Sequence, residues 1–139
     1  MEFNENIPAT ENLPPLDAEN ARDLADAIAE ILDSKKARDI KVLHVEDKTV
    51  ISEYFVICTG NSSTQVKALA GEVEYRTELR GLSPYSVEGR DNNSWILLDY
   101  SNVIVHIFSR EAREFYNLDK LYGDGSSPKT ADPTAYLND

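Results

Sequence analysis

The run Tyr54-Phe55-Val56-Ile57-Cys58 has no charged position. Successive strand residues point to opposite faces, so a strand of this composition must be covered on both sides. A fold that contains it needs a sheet with helices packed on it. The residues that follow fit that demand. Thr59-Gly60-Asn61-Ser62-Ser63 is turn sequence, and Val66, Leu69, Ala70 and Val73 behind it repeat at helical spacing. Ser62 or Ser63 is positioned to cap this helix, and Gly81 falls where the residue after its C-terminal cap belongs.

The remaining elements are read the same way. Asp17 is a candidate N-cap for a helix from about Ala18 to Lys36, with Ala21, Leu24, Ala25, Ile28, Ile31 and Leu32 on one face. Ile40 to Val45 reads as a strand. Pro84 to Glu88 reads as a weak one, limited by its proline to a strand start or an edge. Trp95–Tyr100 and Val103–Phe108 are strong strands joined by Ser101-Asn102 as a tight hairpin, with Asp91-Asn92-Asn93 as the preceding turn. A helical segment from about Arg110 to Leu121 is expected to bring Phe115, Leu118 and Leu121 onto the core. The order is α-β-β-α-β-β-β-α, which predicts an α/β to α+β fold with a mixed five-stranded sheet and helices packed on it. Residues 1–16, ending in Pro14-Pro15, are expected to form a disordered lead-in. Residues 17–122 form the domain, and 123–139 a flexible tail rich in Gly, Ser, Pro and Asp.

At 139 residues the chain has the length of one domain. Its 14 basic residues against 25 acidic ones give a net charge of −11. Phosphate backbones and anionic membranes repel such a surface, so neither direct nucleic-acid binding nor membrane binding is expected. A basic protein partner is favoured, its approach steered by opposite charge. One cysteine and two histidines cannot make an internal disulfide or a Cys/His zinc site. The acidic start, Met1-Glu2-Phe3-Asn4-Glu5-Asn6, lacks the apolar stretch of a signal peptide, and a cytoplasmic location is expected.

Chemistry is harder to find. The Thr59–Ser63 turn has neither a G-x-G-x-x-G pattern nor a Walker-type Lys-Ser/Thr pair. Nucleotidyltransferases use a comparable turn, but they need two carboxylates on a neighbouring strand to hold Mg²⁺, and here the strand after the helix offers only Glu88. His44 and His106 have no Ser or Cys beside them at a suggestive spacing, and His106 reads as a hydrogen-bonded, half-buried residue. Cys58, inside an apolar strand, reads as inert. No catalytic, cofactor or metal site is expected. The Trp95–Tyr100 strand instead has the residue mix of a protein-binding hot spot. Trp95, Leu98 and Tyr100 are candidate apolar anchors, and Asp99 with Glu88 could meet basic groups of a partner. The competing reading places these aromatic and aliphatic residues in the core.

Taken together, Lys36-Ala37-Arg38-Asp39-Ile40, Tyr54 to Ser62 with Gln65-Val66, Glu88-Gly89, Trp95 to Tyr100, Val103 to Phe108 and Arg113 to Leu118 form an ordered set. In this the chain resembles the Iojap/RsfS family of ribosomal silencing factors from about Ala21 to Gly123. The resemblance implies a nucleotidyltransferase-like fold without the catalytic carboxylates. It also implies a factor that binds the large ribosomal subunit through its fourteenth protein, blocks joining of the small subunit and lowers translation when nutrients are scarce. Organellar relatives imply an alternative role in large-subunit assembly, and a nucleotide-binding protein is the further alternative. Homodimers occur in the family, and an edge near Pro84 could contribute to one. The chain departs from the family pattern in two places: Ser101-Asn102 stands for the usual Gly-Asp, and Tyr122 for a frequent Trp.

Overall fold

A computed structural model describes residues 13–92 and 94–123. Its elements are α1 (Ala21–Ser34), β1 (Arg38–His44), β2 (Tyr54–Gly60), α2 (Ser63–Leu79), β3 (Ser86–Glu88), β4 (Trp95–Asp99), β5 (Val103–Ser109), α3 (Arg110–Tyr116) and α4 (Leu118–Gly123). The strands form one mixed sheet in the order β1-β2-β5-β4-β3. Its β2–β5 pair is parallel, while β1–β2, β4–β5 and β3–β4 are antiparallel. The fold is α+β, with the predicted strand and helix order.

The apolar run of β2 finds the double cover it requires. Val56 and Cys58 face a core shared with α1 and α2, whereas Phe55 and Ile57 face a second core closed by α3 and α4. All six apolar residues expected on the buried face of α1 are buried. α2 begins at the Ser62 cap, and its buried residues include Val66, Leu69, Ala70 and Val73, as the spacing predicts. Gly81 has φ +84°, the left-handed geometry expected after a helix end.

Several expectations are corrected. The cap of α1 is Asn20 rather than Asp17: its side chain accepts from Asp23 N and donates to an Asp23 carboxylate oxygen at 2.7 Å. The Asp17 carboxylate instead accepts from Glu19 N at 2.9 Å, closing a turn one step earlier. The helical stretch after β5 is two helices, because Asn117 adopts the left-handed conformation between them. Phe115 is 80% exposed on α3, whose buried residue is Ala112, while Leu118 and Tyr122 of α4 are buried. Of the expected lead-in, residues 1–12 lie outside the described residues, but Leu16 N donates to Arg80 O and Arg80 Nε to Pro14 O, both at 2.9 Å. Of the expected tail, 124–139 also lie outside them, as does Asn93 of the predicted turn; Gly123 closes α4.

Candidate docking surface

β3 is three residues long and forms one edge of the sheet. It pairs with β4 through Ser86↔Asp99, Val87↔Leu98 and Glu88↔Leu97. Opposed residues share a face, so Glu88 and Asp99 lie on the face of Trp95 and Leu97, over adjacent strands. α3 and α4, of seven and six residues, cover only part of this face, and Glu88 and Asp99 are left half-buried. The turn orients the Asp99 carboxylate: its Oδ1 accepts from Ser101 N at 2.7 Å. Ser101 has φ +75°, the left-handed region where glycine is easiest. Tyr85 stands beside the pair at 87% exposure, its N donating to Asp99 O at 2.6 Å.

The three expected apolar anchors are core residues, which corrects their assignment as contacts. Trp95 is 1% exposed, with its ring 4.8 Å from Phe108 and 4.7 Å from Tyr116. Leu98 is 0% exposed and Tyr100 3%, both in the opposite core under α1 and α2. The Tyr100 hydroxyl shares a 2.7 Å hydrogen bond with Thr77 Oγ1. β4 is covered on both faces, so its apolar character serves two cores and none of it reaches solvent. Only Asp99 and Glu88 of the five candidates stay accessible. Sequence reasoning missed Tyr85, although an aromatic residue directly after Pro84 at an edge is a readable signal.

The other candidates resolve as structural. Ser62 Oγ accepts from Gln65 N at 3.1 Å and Gln65 Oε1 accepts from Asn61 N at 2.5 Å, a reciprocal cap. A Cβ on Gly60 would lie 2.8 Å from Val66 Cγ2, so glycine there lets α2 close onto β2. Cys58 is buried, and burial pushes its thiol up to about 12 against the opposing charge of Arg113. His106 is fully buried rather than half-buried. Its Nδ1 accepts from Trp95 Nε1 at 3.2 Å, which assigns the ring proton to Nε2, and that nitrogen has no hydrogen-bond partner among the described residues. Desolvation lowers the imidazole to about 3, so it stays neutral. His44 is on the surface, and ligand atoms of His44, Glu46 and Glu53 lie within 4.8 Å of one another, a grouping that exposed acidic side chains commonly adopt without an ion.

Arg113 fastens α3 to the ends of β1 and β2. It donates to both carboxylate oxygens of Asp119 at 2.7 and 2.8 Å, to Thr59 Oγ1 at 2.9 Å and to Asp39 O at 2.9 Å. Burial alone would push the Asp119 carboxyl up, but the hydrogen bonds and charges of Arg113 and Lys41 outweigh it and hold the group below its ordinary value.

Known proteins of the same kind surround this geometry. Residues 18–138 match the family described as "Ribosomal silencing factor during starvation". A ribosomal silencing factor of Bacillus subtilis is 38% identical over 105 residues, covering 76% of this chain and 89% of that protein. The chloroplastic Iojap protein of Zea mays is 37% identical over 103 residues, covering 74% of this chain and 43% of that protein. A crystal structure of a Chromobacterium violaceum protein superposes with a TM-score of 0.68 at 28% identity, covering 89% of this chain and all of that one.

Proposed function

The chain belongs to the family of ribosomal silencing factors, which are non-enzymatic ribosome-binding proteins, and from that premise we propose that it binds the large ribosomal subunit through the subunit's fourteenth protein. There it occupies the joining face, excludes the small subunit by its bulk and lowers translation under nutrient limitation. No chemical step is involved. No described helix is long and apolar enough to cross a membrane, and the proposed site of action is the cytoplasm.

One observation supports the docking surface. Glu88 and Asp99 share a half-open sheet face beside the short β3 edge, and the exposed Tyr85 is tied to Asp99 through its backbone N–H. An acidic pair with an aromatic neighbour suits a basic protein surface, where charge speeds encounter and the ring supplies buried area. A second copy pairing along β3 would compete for this edge; sedimentation of the free protein as a monomer or a dimer distinguishes the two.

The test is co-sedimentation with isolated large and small subunits, followed by mixing both. Binding to large subunits alone, with fewer joined particles, is the expected outcome. Asp99→Lys is expected to slow association about tenfold at low salt and to weaken its salt dependence while the fold persists. An unchanged association rate in that variant moves the docking surface elsewhere. Failure to bind any mature subunit, with binding to precursors, replaces silencing by assembly.

A further inference from the structure

β2 and β5 are parallel neighbours, yet the chain leaves them in opposite directions: β2 continues into α2 over one face, and β5 into α3 over the other. A crevice opens outside the carboxyl ends of two strands related in this way, and ligands of α/β sheets sit in such crevices. Here it holds a cavity of about 300 Å³ lined by Arg38, Thr59, Asn61, Arg110, Arg113 and Glu114, together with Asp39. Two further hollows adjoin it through shared lining residues, one at Arg110 and Asn61 and one at Arg38 and Asn61; the latter adds Lys36. This is the end of the sheet away from the Ser101-Asn102 turn, so it stands apart from the docking reading.

The charges here are unusual for this chain. Arg22, Arg76 and Arg90 each pair with a carboxylate of α1 or α2, and Arg80 donates to Pro14 O. Arg38 and Arg110 make no ion pair among the described residues, although the chain carries 25 acidic side chains. Two free guanidinium groups on one small cavity, beside a third held rigid by Asp119, offer forked donors of the kind that match phosphate oxygens. The same lining includes the acidic residues Asp39 and Glu114, both exposed. These would repel a bare phosphate, but they accept hydrogen bonds from ribose hydroxyls or base amino groups. A continuous polyanion is disfavoured by the net charge of −11.

We propose that this crevice binds a nucleotide, with its phosphates on Arg38 and Arg110 and its nucleoside hydroxyl or amino groups on Glu114 and Asp39. The test is calorimetric titration of the full chain with ATP, GTP, AMP, GMP and inorganic phosphate. A nucleotide is expected to bind with Kd below about 1 mM and more tightly than inorganic phosphate. Arg38→Ala and Arg110→Ala are each expected to weaken it about tenfold, since each removes charge-assisted hydrogen bonds. Arg110→Lys, which keeps the charge and loses the fork, should fall between. Lys67→Ala, on the exposed surface of α2, should leave binding unchanged. Arg38 and Arg110 are exposed and without side-chain partners among the described residues, so these variants keep the fold, as circular dichroism will verify. Any of four results overturns the proposal: no nucleotide bound at millimolar concentration, phosphate bound as tightly as nucleotides, full affinity in both alanine variants, or a single-stranded RNA oligomer preferred over every mononucleotide.

Discussion

Between pH 6.5 and pH 4 the folded state is expected to lose about 3 kcal/mol of stability through His106 alone. The imidazole sits fully buried between Phe55, Trp95 and Phe108, with ring centroids 4.6, 5.8 and 6.1 Å away. Desolvation lowers it to about 3 from an ordinary 6.5. In this window the unfolded chain binds a proton that the folded chain refuses. Stability is therefore fully present above pH 6.5 and falls by about 1.4 kcal/mol per pH unit below it, until the folded group itself titrates. The measurement is urea unfolding at a series of pH values for the wild type and for His106→Leu. Relief of acidic self-repulsion and protonation of the surface carboxylates act on both proteins and cancel in the difference. The expected difference is a slope that the leucine variant lacks. Parallel slopes would mean that the histidine reaches water or a proton acceptor when folded.

The second large effect is expected at Gly89, where Gly89→Ala should cost about 2–5 kcal/mol: about 1–2 for left-handed backbone and about 1–3 for overpacking. Gly89 has φ +83°, and a Cβ there would lie 2.3 Å from Trp95 O, a backbone atom that cannot swing aside. The glycine ends β3 and opens the turn closed by Asn92 N donating to Gly89 O at 2.8 Å. Gly81→Ala is the control. Gly81 has φ +84°, but its Cβ would meet nothing within 4 Å, so that variant should show the backbone cost alone. Equal midpoints for the two variants in denaturant would refute the steric part of the argument. Because Gly89 follows Glu88 directly, its alanine variant should also weaken binding to the large subunit under the docking reading.

Element order and most of the core follow from local rules. Helical spacing marks the buried face of α1, Ser62 and Gly81 punctuate α2, and the uncharged run of β2 demands cover on both sides. These signals act within a few residues of each other, so they survive without knowledge of the rest of the chain. What they leave open is which surface remains uncovered. Trp95, Leu98 and Tyr100 have the composition of a docking site and of a two-sided strand alike; only the placement of helices on both faces of β4 buries them and leaves Asp99 and Glu88 accessible. Phe115 fits a stripe of one continuous helix, but the stretch is two helices and its ring is exposed. The crevice joins Arg38 to Arg110 across 72 positions of sequence through the parallel pairing of β2 with β5. The sequence by itself determined which side chains gain from burial, because transfer from water depends on the side chain. The tertiary structure decided what stays exposed and which distant charges meet, because both depend on neighbours that only the completed sheet brings together.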